Sequence, residues 1–377
     1  MPVQPYSMIK TTAILAEEAL KLLKQLVAVP SLSRQESGTA ALLEKFFAER
    51  SIEHFRVKNN VWAVNKFFDP GKPGILLNSH HDTVAANARY TIDPYQPIVL
   101  DGKLYGLGTT DAGASLCSLI AAFLHFYDMP ALRYNIVLAA SAEEEISGTN
   151  GIDLLFRQKN FSELFTHPDS FAIVGEPTEL QLAIAEKGLL VLDCVAHGKA
   201  GHAARDEGEN ALYKAMDAIN WFRHYKFDKL SATLGEVKMT VTSVETDNKA
   251  HNVIPASCSF VVDIRVTDAY THEAILGIIR EHVEVDVQPR STRLRSSSID
   301  EHHPLVQAGL ALGKLTYGSP TTSDQALINL PSLKCGPGFS GQSHSADEYI
   351  DLKWIPEAVE FYIHLLEKTL EAGTEPA

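Results

Sequence analysis

The sequence has few cysteines, and none of them lies in a metal-binding or redox pattern. Cys117, Cys194, Cys258 and Cys335 are scattered along 377 residues and mostly lie within apolar runs. No CxxC pair and no cysteine–histidine spacing of a zinc finger occurs. We therefore predict four buried, free thiols in a protein of a reducing compartment.

The chain also lacks an excess of positive charge. Its 33 lysine and arginine residues are outnumbered by 47 aspartate and glutamate residues, which gives a formal net charge of −14. Because nucleic acids and anionic membranes are bound through clustered cations, we expect neither as a partner. Part of the excess acid is available to bind metal ions.

Long hydrophobic runs are absent as well. No apolar stretch reaches the length of a membrane span, and the N-terminus shows no signal-peptide pattern. With 45% hydrophobic and 21% charged residues, the composition is that of a globular protein, and the length indicates two domains. We expect a cytoplasmic location.

Two histidines and an aspartate end the first strongly apolar run. Residues 75–84 follow Gly74 and read Ile-Leu-Leu-Asn-Ser-His-His-Asp-Thr-Val. Such a run predicts a buried strand of a parallel sheet, and chemistry in these sheets lies just beyond the carboxyl ends of the strands. His80 and Asp82 point the same way on an extended chain, so that one can bind a metal while the other orients a group. The alternative is a surface loop without function.

The same arrangement occurs twice more along the chain. Residues 134–140 lead into three consecutive glutamates, and residues 171–174 lead into Glu176. Strands that alternate with helices predict a βαβ sheet with a site at the strand ends. Because burial of charge needs a partner, three glutamates directly after a buried strand are poorly explained as solvated loop residues.

Five candidate ligands each follow a predicted buried strand or lie in a glycine-rich loop: His80, Asp111, Glu145, Glu176 and His344. Nitrogen and oxygen donors without cysteine suit zinc, manganese or cobalt. Two ions about 3.5–4 Å apart, bridged by one carboxylate, activate a water molecule and polarise a carbonyl group. A glutamate beside a ligand glutamate would supply the general base that this chemistry needs.

The pattern changes near residue 183. From residue 189 to residue 289 the predicted order is strand, helix, strand, strand, helix, strand, which fits a ferredoxin-like domain. We therefore predict an inserted domain at residues 184–293 within a discontinuous catalytic domain at residues 1–183 and 294–377.

These motifs resemble those of a metallopeptidase and deacylase family that includes acetylornithine deacetylase, succinyl-diaminopimelate desuccinylase, aminoacylase and carboxypeptidase G. They follow the family order along nearly the whole chain: Ser79-His80-His81-Asp82, the turn Gly106-Leu107-Gly108-Thr109-Thr110-Asp111, Glu143-Glu144-Glu145, Gly175-Glu176-Pro177-Thr178, and His344 before Asp347-Glu348. The resemblance implies an α/β, zinc-peptidase-like catalytic domain with a mixed, largely parallel sheet. It also implies that the inserted α+β domain acts in dimerisation or as a lid.

The resemblance further implies two divalent ions, zinc in the first place, with cobalt or manganese as substitutes. It distributes the ligands as follows: His80 and Glu176 on one ion, Glu145 and His344 on the other, and Asp111 bridging both. Asp82 would orient His80, and Glu144 would be the catalytic base. Two positions depart from the family, because Leu107 replaces a usual arginine and Gly113 a usual lysine. Neither is a ligand, and both bear on loop packing or substrate fit.

The inserted domain contains further matches. Gly198-Lys199-Ala200-Gly201-His202 resembles the family motif whose histidine reaches the active site of a neighbouring subunit and stabilises the oxyanion. Asn252 and Arg265 match residues that hold the α-carboxylate of the substrate, for which an arginine offers a bidentate fork. Without the motif, His202 reads as a surface histidine and Arg265 as an exposed strand charge.

The implied function is metal-dependent hydrolysis of the amide bond of an N-acyl amino acid by metal-activated water. An acetylornithine deacetylase-like enzyme of arginine biosynthesis fits, with acetyl or succinyl as the acyl group and ornithine or citrulline as the amine. The alternatives are a succinyl-diaminopimelate desuccinylase, a di- or tripeptidase of the same family, or a non-catalytic binding module with this fold. The expected partners are the small substrate and a second copy of the chain, in a homodimer formed through the inserted domain.

Overall fold

The computed structural model of the protein describes residues 11–205 and 207–371. None of the helices in these two ranges is long and apolar enough to cross a membrane. The four cysteines are buried and free, as predicted. The prediction that no signal peptide is present rests partly on residues 1–10, which lie outside the described residues.

Helices and strands alternate along most of the chain. The α-helices are α1 (Thr12–Val27), α2 (Ser37–Ala48), α3 (Ala114–Phe126), α4 (Ile152–Arg157), α5 (Lys159–Ser162), α6 (Ala211–His224), α7 (His272–His282), α8 (Pro304–Ala311) and α9 (Trp354–Glu371). The strands are β1 (His54–Val57), β2 (Asn60–Val64), β3 (Gly74–His80), β4 (Ile98–Leu100), β5 (Lys103–Tyr105), β6 (Asn135–Ser141), β7 (Phe171–Val174), β8 (Leu182–Glu186), β9 (Gly188–His197), β10 (Gly201–His202), β11 (Lys238–Thr246), β12 (Val253–Ile254), β13 (Ser257–Val266), β14 (Asp286–Pro289), β15 (Ser297–Ser298), β16 (Thr316–Ser319), β17 (Ser332–Lys334) and β18 (Tyr349–Asp351).

Two compact units make up the structure. The larger consists of the described residues of Met1–Ile184, Ser298–Tyr317 and Ser323–Ala377, and the smaller of Ala185–Ser297 and Gly318–Thr322. The predicted insertion at residues 184–293 did not include Gly318–Thr322. This segment belongs to the smaller unit because Ser319 and Thr322 both form hydrogen bonds with the backbone of Lys187, just before β9.

The larger unit is built on a mixed sheet in the order β1-β2-β6-β3-β7-β17-β8-β15. Its centre is parallel, because β3 pairs in parallel with β6 and β7, and β17 pairs in parallel with β7. β2 and β8 join this centre in the antiparallel sense on its two sides. The predicted α/β class with a mixed sheet is confirmed, with the parallel pairing concentrated in the middle of the sheet.

The central strands are covered on both faces. Ile75 and Leu77 pack into the core formed with α1, α3 and α9, whereas Leu76 packs on the opposite face with Trp62 and Phe161. Every residue of β3, β6 and β7 is buried. Coverage on both faces explains why these strands read as uninterrupted apolar runs rather than as alternating ones.

The smaller unit contains an antiparallel sheet in the order β11-β13-β9-β14, and α6 and α7 contribute to its core. Asn210 and Thr271 cap the two helices, each accepting a hydrogen bond from a backbone N–H in the first turn. β10 and β12 form a separate antiparallel pair. Each is two residues long and therefore too short to produce a strand pattern in the sequence.

Candidate metal centre

The predicted ligands lie where the central parallel strands end. His80 is the last residue of β3, and in the register of the sheet it is opposite Ser141, the last residue of β6. Glu144 and Glu145 follow β6 in a short 3₁₀ turn, and Glu176 follows β7. Because the three strands are parallel neighbours, their carboxyl ends bring these side chains to one edge of the sheet.

Asp111 lies between the two predicted histidine ligands. One of its carboxylate oxygens is 3.2 Å from His80 Nε2, and the other is 3.5 Å from His344 Nε2. His80 Nε2 is also 3.7 Å from a carboxylate oxygen of Glu176, and His344 Nε2 is 2.8 Å from one of Glu145. The structure therefore brings together all five predicted ligands, with Asp111 at the centre.

Glu144 also lies in this group, with Oε2 at 3.9 Å from His80 Nε2. Among the described residues, the donor atoms of His80, Asp111 and Glu145 all lie within 4.8 Å of one another. The same is true of the donor atoms of His80, Glu144 and Glu176. These nitrogen and oxygen donors fit zinc, cobalt or manganese. Since both Glu144 and Glu145 are within reach of a cation, their separate roles as base and ligand remain predictions.

The pKa values of four ionisable side chains at this site are raised, so each of them binds a proton more strongly than usual. Burial raises the pKa of Glu144 well above its usual range and that of Glu176 to about 8. Burial alone would lower the pKa of His80, but the nearby carboxylates, Glu144 foremost, raise it well above the ordinary value. The hydrogen bond to Glu145 raises the pKa of His344 to about 9. Carboxylates outnumber the imidazoles here, so divalent cations fit the charge as well as the donor atoms.

Asp82 contacts both His80 and the turn that contains Glu144 and Glu145. Nδ1 of His80 lies 3.0 Å from the Asp82 backbone carbonyl and 3.5 Å from its carboxylate, so donation to the carbonyl leaves Nε2 free for a metal. The Asp82 carboxylate accepts the N–H groups of Glu144 (3.1 Å) and Glu145 (3.2 Å) and the hydroxyl of Ser33 (2.6 Å). It thus orients the two glutamates, a role that sequence reasoning did not include.

Sequence reasoning missed Asp324, a buried carboxylate of the larger unit that lies near the strand ends. One of its oxygens accepts hydrogen bonds from Asn78 Nδ2 (2.9 Å) on β3 and from Ser141 Oγ (2.5 Å) on β6. Burial raises its pKa to about 6, against the lowering effect of these two hydrogen bonds. No local pattern around Asp324 indicates this position, because its partners are far away along the chain.

Glu348 is a second buried carboxylate to which sequence reasoning gave no role. It accepts backbone hydrogen bonds from Gly108 (3.0 Å), Thr110 (2.7 Å) and Asp111 (3.0 Å). Burial raises its pKa to about 7 even though these three donors favour the charged form. The Asp-Glu pair after His344 was the available signal, but it did not reveal which loop the glutamate contacts.

The two departures from the family pattern lie against α1. Leu107 is buried, and together with Gly113, Leu26 and Val27 it lines a cavity of about 20 Å³. A Cβ atom at Gly113 would lie 2.4 Å from the backbone oxygen of Gly108, so this position does not accept a side chain without a shift of the loop. These contacts favour loop packing as the reason for the departures.

Three predicted site residues belong to the smaller unit. His202 is exposed in β10, and its Nδ1 accepts a hydrogen bond from the Ala204 N–H. Asn252 lies close by, because its carbonyl accepts from the Ala203 N–H and the residue after it pairs with His202. The guanidinium of Arg265 forms a bidentate contact with Asp263, at 2.8 and 3.0 Å. Their roles toward substrate remain predictions.

The sequence model of peptidase family M20/M25/M40 matches residues 76–368, a range that includes every predicted site residue. The chain belongs to this family. This M20 chain is 28% identical to the acetylornithine deacetylase of Shigella sonnei over 385 aligned residues, which cover 92% of the chain and 96% of the relative. It is 25% identical to succinyl-diaminopimelate desuccinylase 2 of a Ruegeria species over 282 residues, which cover 71% and 70%.

Solved structures share the fold. The aminopeptidase PepT of Bacillus cereus superposes with a TM-score of 0.75 at 18% identity, covering 94% of the M20 chain and 98% of its own. A Bacillus subtilis protein described as a dinuclear metal-binding peptidase from the M20 family gives 0.69 at 17% identity, covering 95% and 99%. The family assignment confirms the predicted enzyme class: the protein is a metal-dependent hydrolase of amide bonds.

We predict that Asp324→Asn removes a pH-dependent loss of stability from the metal-free protein. The pKa of Asp324 is about 6 in the folded state against an ordinary 3.8, so the folded protein keeps a proton that the unfolded chain releases between these values. The contribution of Asp324 to stability is therefore fully present below about pH 4 and is lost, by on the order of 3 kcal/mol, as the pH rises through 6. The asparagine keeps an oxygen for Asn78 and Ser141 and does not ionise.

Urea unfolding between pH 4 and pH 8 tests this prediction. The advantage of Asp324→Asn over wild type should grow with pH up to about 7 and then remain constant. Asp217→Asn, on the exposed side of α6, is the matched control and should follow wild type throughout. Parallel curves for Asp324→Asn and wild type at every pH would contradict the raised pKa.

Proposed function

We propose that the protein hydrolyses the amide bond of an N-acyl amino acid, in the manner of an acetylornithine deacetylase. The observation that carries this proposal is the convergence of His80, His344 and three glutamates, Glu144, Glu145 and Glu176, around Asp111 at the ends of β3, β6 and β7. The greater extent of the alignment supports this choice. The acetylornithine deacetylase aligns with 92% of the chain, whereas the succinyl-diaminopimelate desuccinylase aligns with 71% of it.

We assign His80 and Glu176 to one divalent ion, Glu145 and His344 to the other, and Asp111 to both, with zinc as the metal and cobalt or manganese as substitutes. The position of Asp111 supports the bridging role, because its two oxygens are directed to different histidines. When bound, such ions polarise the amide carbonyl and lower the pKa of the attacking water.

Glu144 is the proposed general base. It removes a proton from the attacking water and returns it to the amine that leaves when the C–N bond breaks. Its side chain is 14% exposed, so it lies in a largely dry site but remains open to substrate. Burial raises the pKa of Glu144, and a raised pKa makes the carboxylate a stronger base for the proton of the attacking water.

The smaller unit supplies the remaining proposed roles. His202 stabilises the oxyanion in the active site of a partner subunit, and Asn252 and Arg265 bind the substrate α-carboxylate. The exposure of His202 and its backbone pairing beside Asn252 support a shared binding surface. We also propose a homodimer formed through this unit and a cytoplasmic role in arginine biosynthesis.

We predict that the enzyme loses activity when its metals are removed with a chelator and regains it with Zn²⁺ or Co²⁺. A panel of N-acetyl- and N-succinyl-ornithine, the same derivatives of citrulline, N-succinyl-diaminopimelate and dipeptides then tests the substrate class. We expect an acyl-ornithine or acyl-citrulline to give the highest kcat/KM. A preference for dipeptides would assign a peptidase instead, and full activity in protein that contains no metal by elemental analysis would refute the mechanism.

We predict that Glu144→Ala binds its metals but loses several orders of magnitude in kcat. General-base removal costs roughly 10²–10⁴-fold, and the attacking water is also left unpositioned. Glu145→Ala is the matched comparison, since it removes the neighbouring carboxylate and should instead lose metal. Metal content and kcat are measured together on both variants, and the reverse pattern would mean that the two glutamates exchange roles.

We predict that His202 acts in the partner subunit. His202→Ala and Glu144→Ala chains are each inactive, but a mixed dimer has one active site with both groups intact. With equal mixing and free exchange, half of the dimers are mixed and each has one working site, so about a quarter of wild-type activity should return. Removal of an oxyanion donor costs about 2–4 kcal/mol, which leaves the His202→Ala parent with a clear deficit, while the Glu144→Ala parent lacks the proposed base. No recovery despite demonstrated exchange would exclude action in trans.

A further inference from the structure

Glu348 has no role in the proposed reaction, yet it contacts the loop that presents Asp111. Its side chain is 1% exposed. Oε1 accepts hydrogen bonds from the backbone N–H groups of Thr110 (2.7 Å) and Asp111 (3.0 Å), and Oε2 accepts one from Gly108 (3.0 Å). One buried carboxylate therefore holds three amides of this loop, including that of the bridging residue itself.

Backbone contacts hold the Glu348 segment to the same loop. The Gly106 N–H donates to the Glu348 carbonyl (3.0 Å), and the Thr110 hydroxyl donates to the Tyr349 carbonyl (2.7 Å). Strands β5 and β18 pair directly beside these contacts, with Tyr105 opposite Tyr349. The two segments are thus joined already, and the contribution of the Glu348 side chain is specific to the peptides at and before Asp111.

We propose that Glu348 is a positioning residue that orients Asp111 and thereby maintains the ion site formed by Asp111, Glu145 and His344. This inference rests on the proposed dinuclear centre. Asp111 has one oxygen near each histidine, so a rotation of its peptide changes both sites. The unequal burial of the histidines makes the effect unequal, because the side chain of His80 is 1% exposed and that of His344 is 55% exposed.

The His80 ring is held at both of its nitrogens. Its Nδ1 lies 3.0 Å from the Asp82 carbonyl, and the residue ends a fully buried strand. His344 lies in a loop at a positive φ of 59° and depends on Glu145 and Asp111 for its side-chain position. Loss of Glu348 should therefore weaken the site with His344 more than the site with His80 and Glu176.

Asp347 offers a matched control in the adjacent position. Its carboxylate also accepts three hydrogen bonds, from the Thr91 N–H (2.8 Å), the Thr91 hydroxyl (2.6 Å) and the Ile92 N–H (3.3 Å). These donors lie in a different loop from Asp111. Asp347→Ala therefore removes the same number of side-chain hydrogen bonds from the same segment, at a more exposed position, without removing a contact to the bridging residue.

The test is a titration of the metal-free, full-length protein with Co²⁺, followed by visible absorption and by competition with a chelator. Wild type should bind two ions. Glu348→Ala should bind the second ion roughly 10- to 100-fold more weakly, the range for loss of a residue that supports a ligand, and should lose clearly less affinity for the first ion. Glu348→Gln should be intermediate, because its amide oxygen can accept from Thr110 and Asp111 while its NH₂ group opposes the Gly108 N–H. Asp347→Ala should match wild type.

Two outcomes would overturn the inference while leaving the dinuclear centre intact. One is wild-type affinity for both ions in Glu348→Ala, and the other is an equal weakening of the second ion in Asp347→Ala. If Glu348→Ala does not fold, as judged by thermal unfolding without metal, Glu348→Gln decides, and unchanged second-ion affinity overturns the role. A wild-type protein that binds fewer than two ions refutes the proposed centre and this inference with it.

Discussion

The parallel pairing of β3 with β6 and β7 is the constraint on which the candidate metal centre depends. It brings the end of each strand to one edge of the sheet, where His80, the glutamates after β6 and Glu176 meet. Antiparallel neighbours would send these ends to opposite edges. The antiparallel strands at the flanks do not disturb this arrangement because they join outside the three strands that carry ligands.

Several buried carboxylates lie close together at one edge of the sheet and repel one another. Hydrogen bonds from neutral donors stabilise three of them. The Asp82 carboxylate accepts hydrogen bonds from the backbone N–H groups of Glu144 and Glu145. Asp324 accepts hydrogen bonds from side chains of β3 and β6, and Glu348 accepts them from three backbone N–H groups of the Asp111 loop. Each of these carboxylates is buried, and each uses neutral donors rather than a cation for these contacts. The positive charge that the site requires is thereby left for the metal ions.

The sequence predicts the central strands, and the polar residues that follow them, for a physical reason. A strand covered on both faces must be apolar throughout, so the first charged residue after it marks its end, as for β3, β6 and β7. The mixed character of the sheet and the family membership were also predictable, the latter from motifs in a fixed order. Short or exposed strands such as β1 and β10 were missed because they contain too few residues for a periodic pattern.

The supporting carboxylates were not predictable in the same way. Asp324 and Glu348 make these contacts with residues 183 or more positions away along the chain, and only the folded chain defines those partners. Gly113 is a related case. It has no room for a side chain because the Gly108 carbonyl oxygen lies beside it, and this contact exists only in the folded chain. The local sequence predicts whether a helix or strand is buried. The roles of these three residues depend instead on which loops contact one another in the folded chain.

The distance along the chain between Asp111 and Glu348 has a consequence for biosynthesis. Four of the proposed ligands leave the ribosome well before the last one, His344, and before the segment that fixes the Asp111 loop. A nascent chain that ends before His344 has the strand ends but lacks both the last proposed ligand and Glu348, whose side chain holds this loop. The proposed ligand set and the side-chain contacts that hold the Asp111 loop are therefore complete only after the chain has been synthesised as far as Glu348.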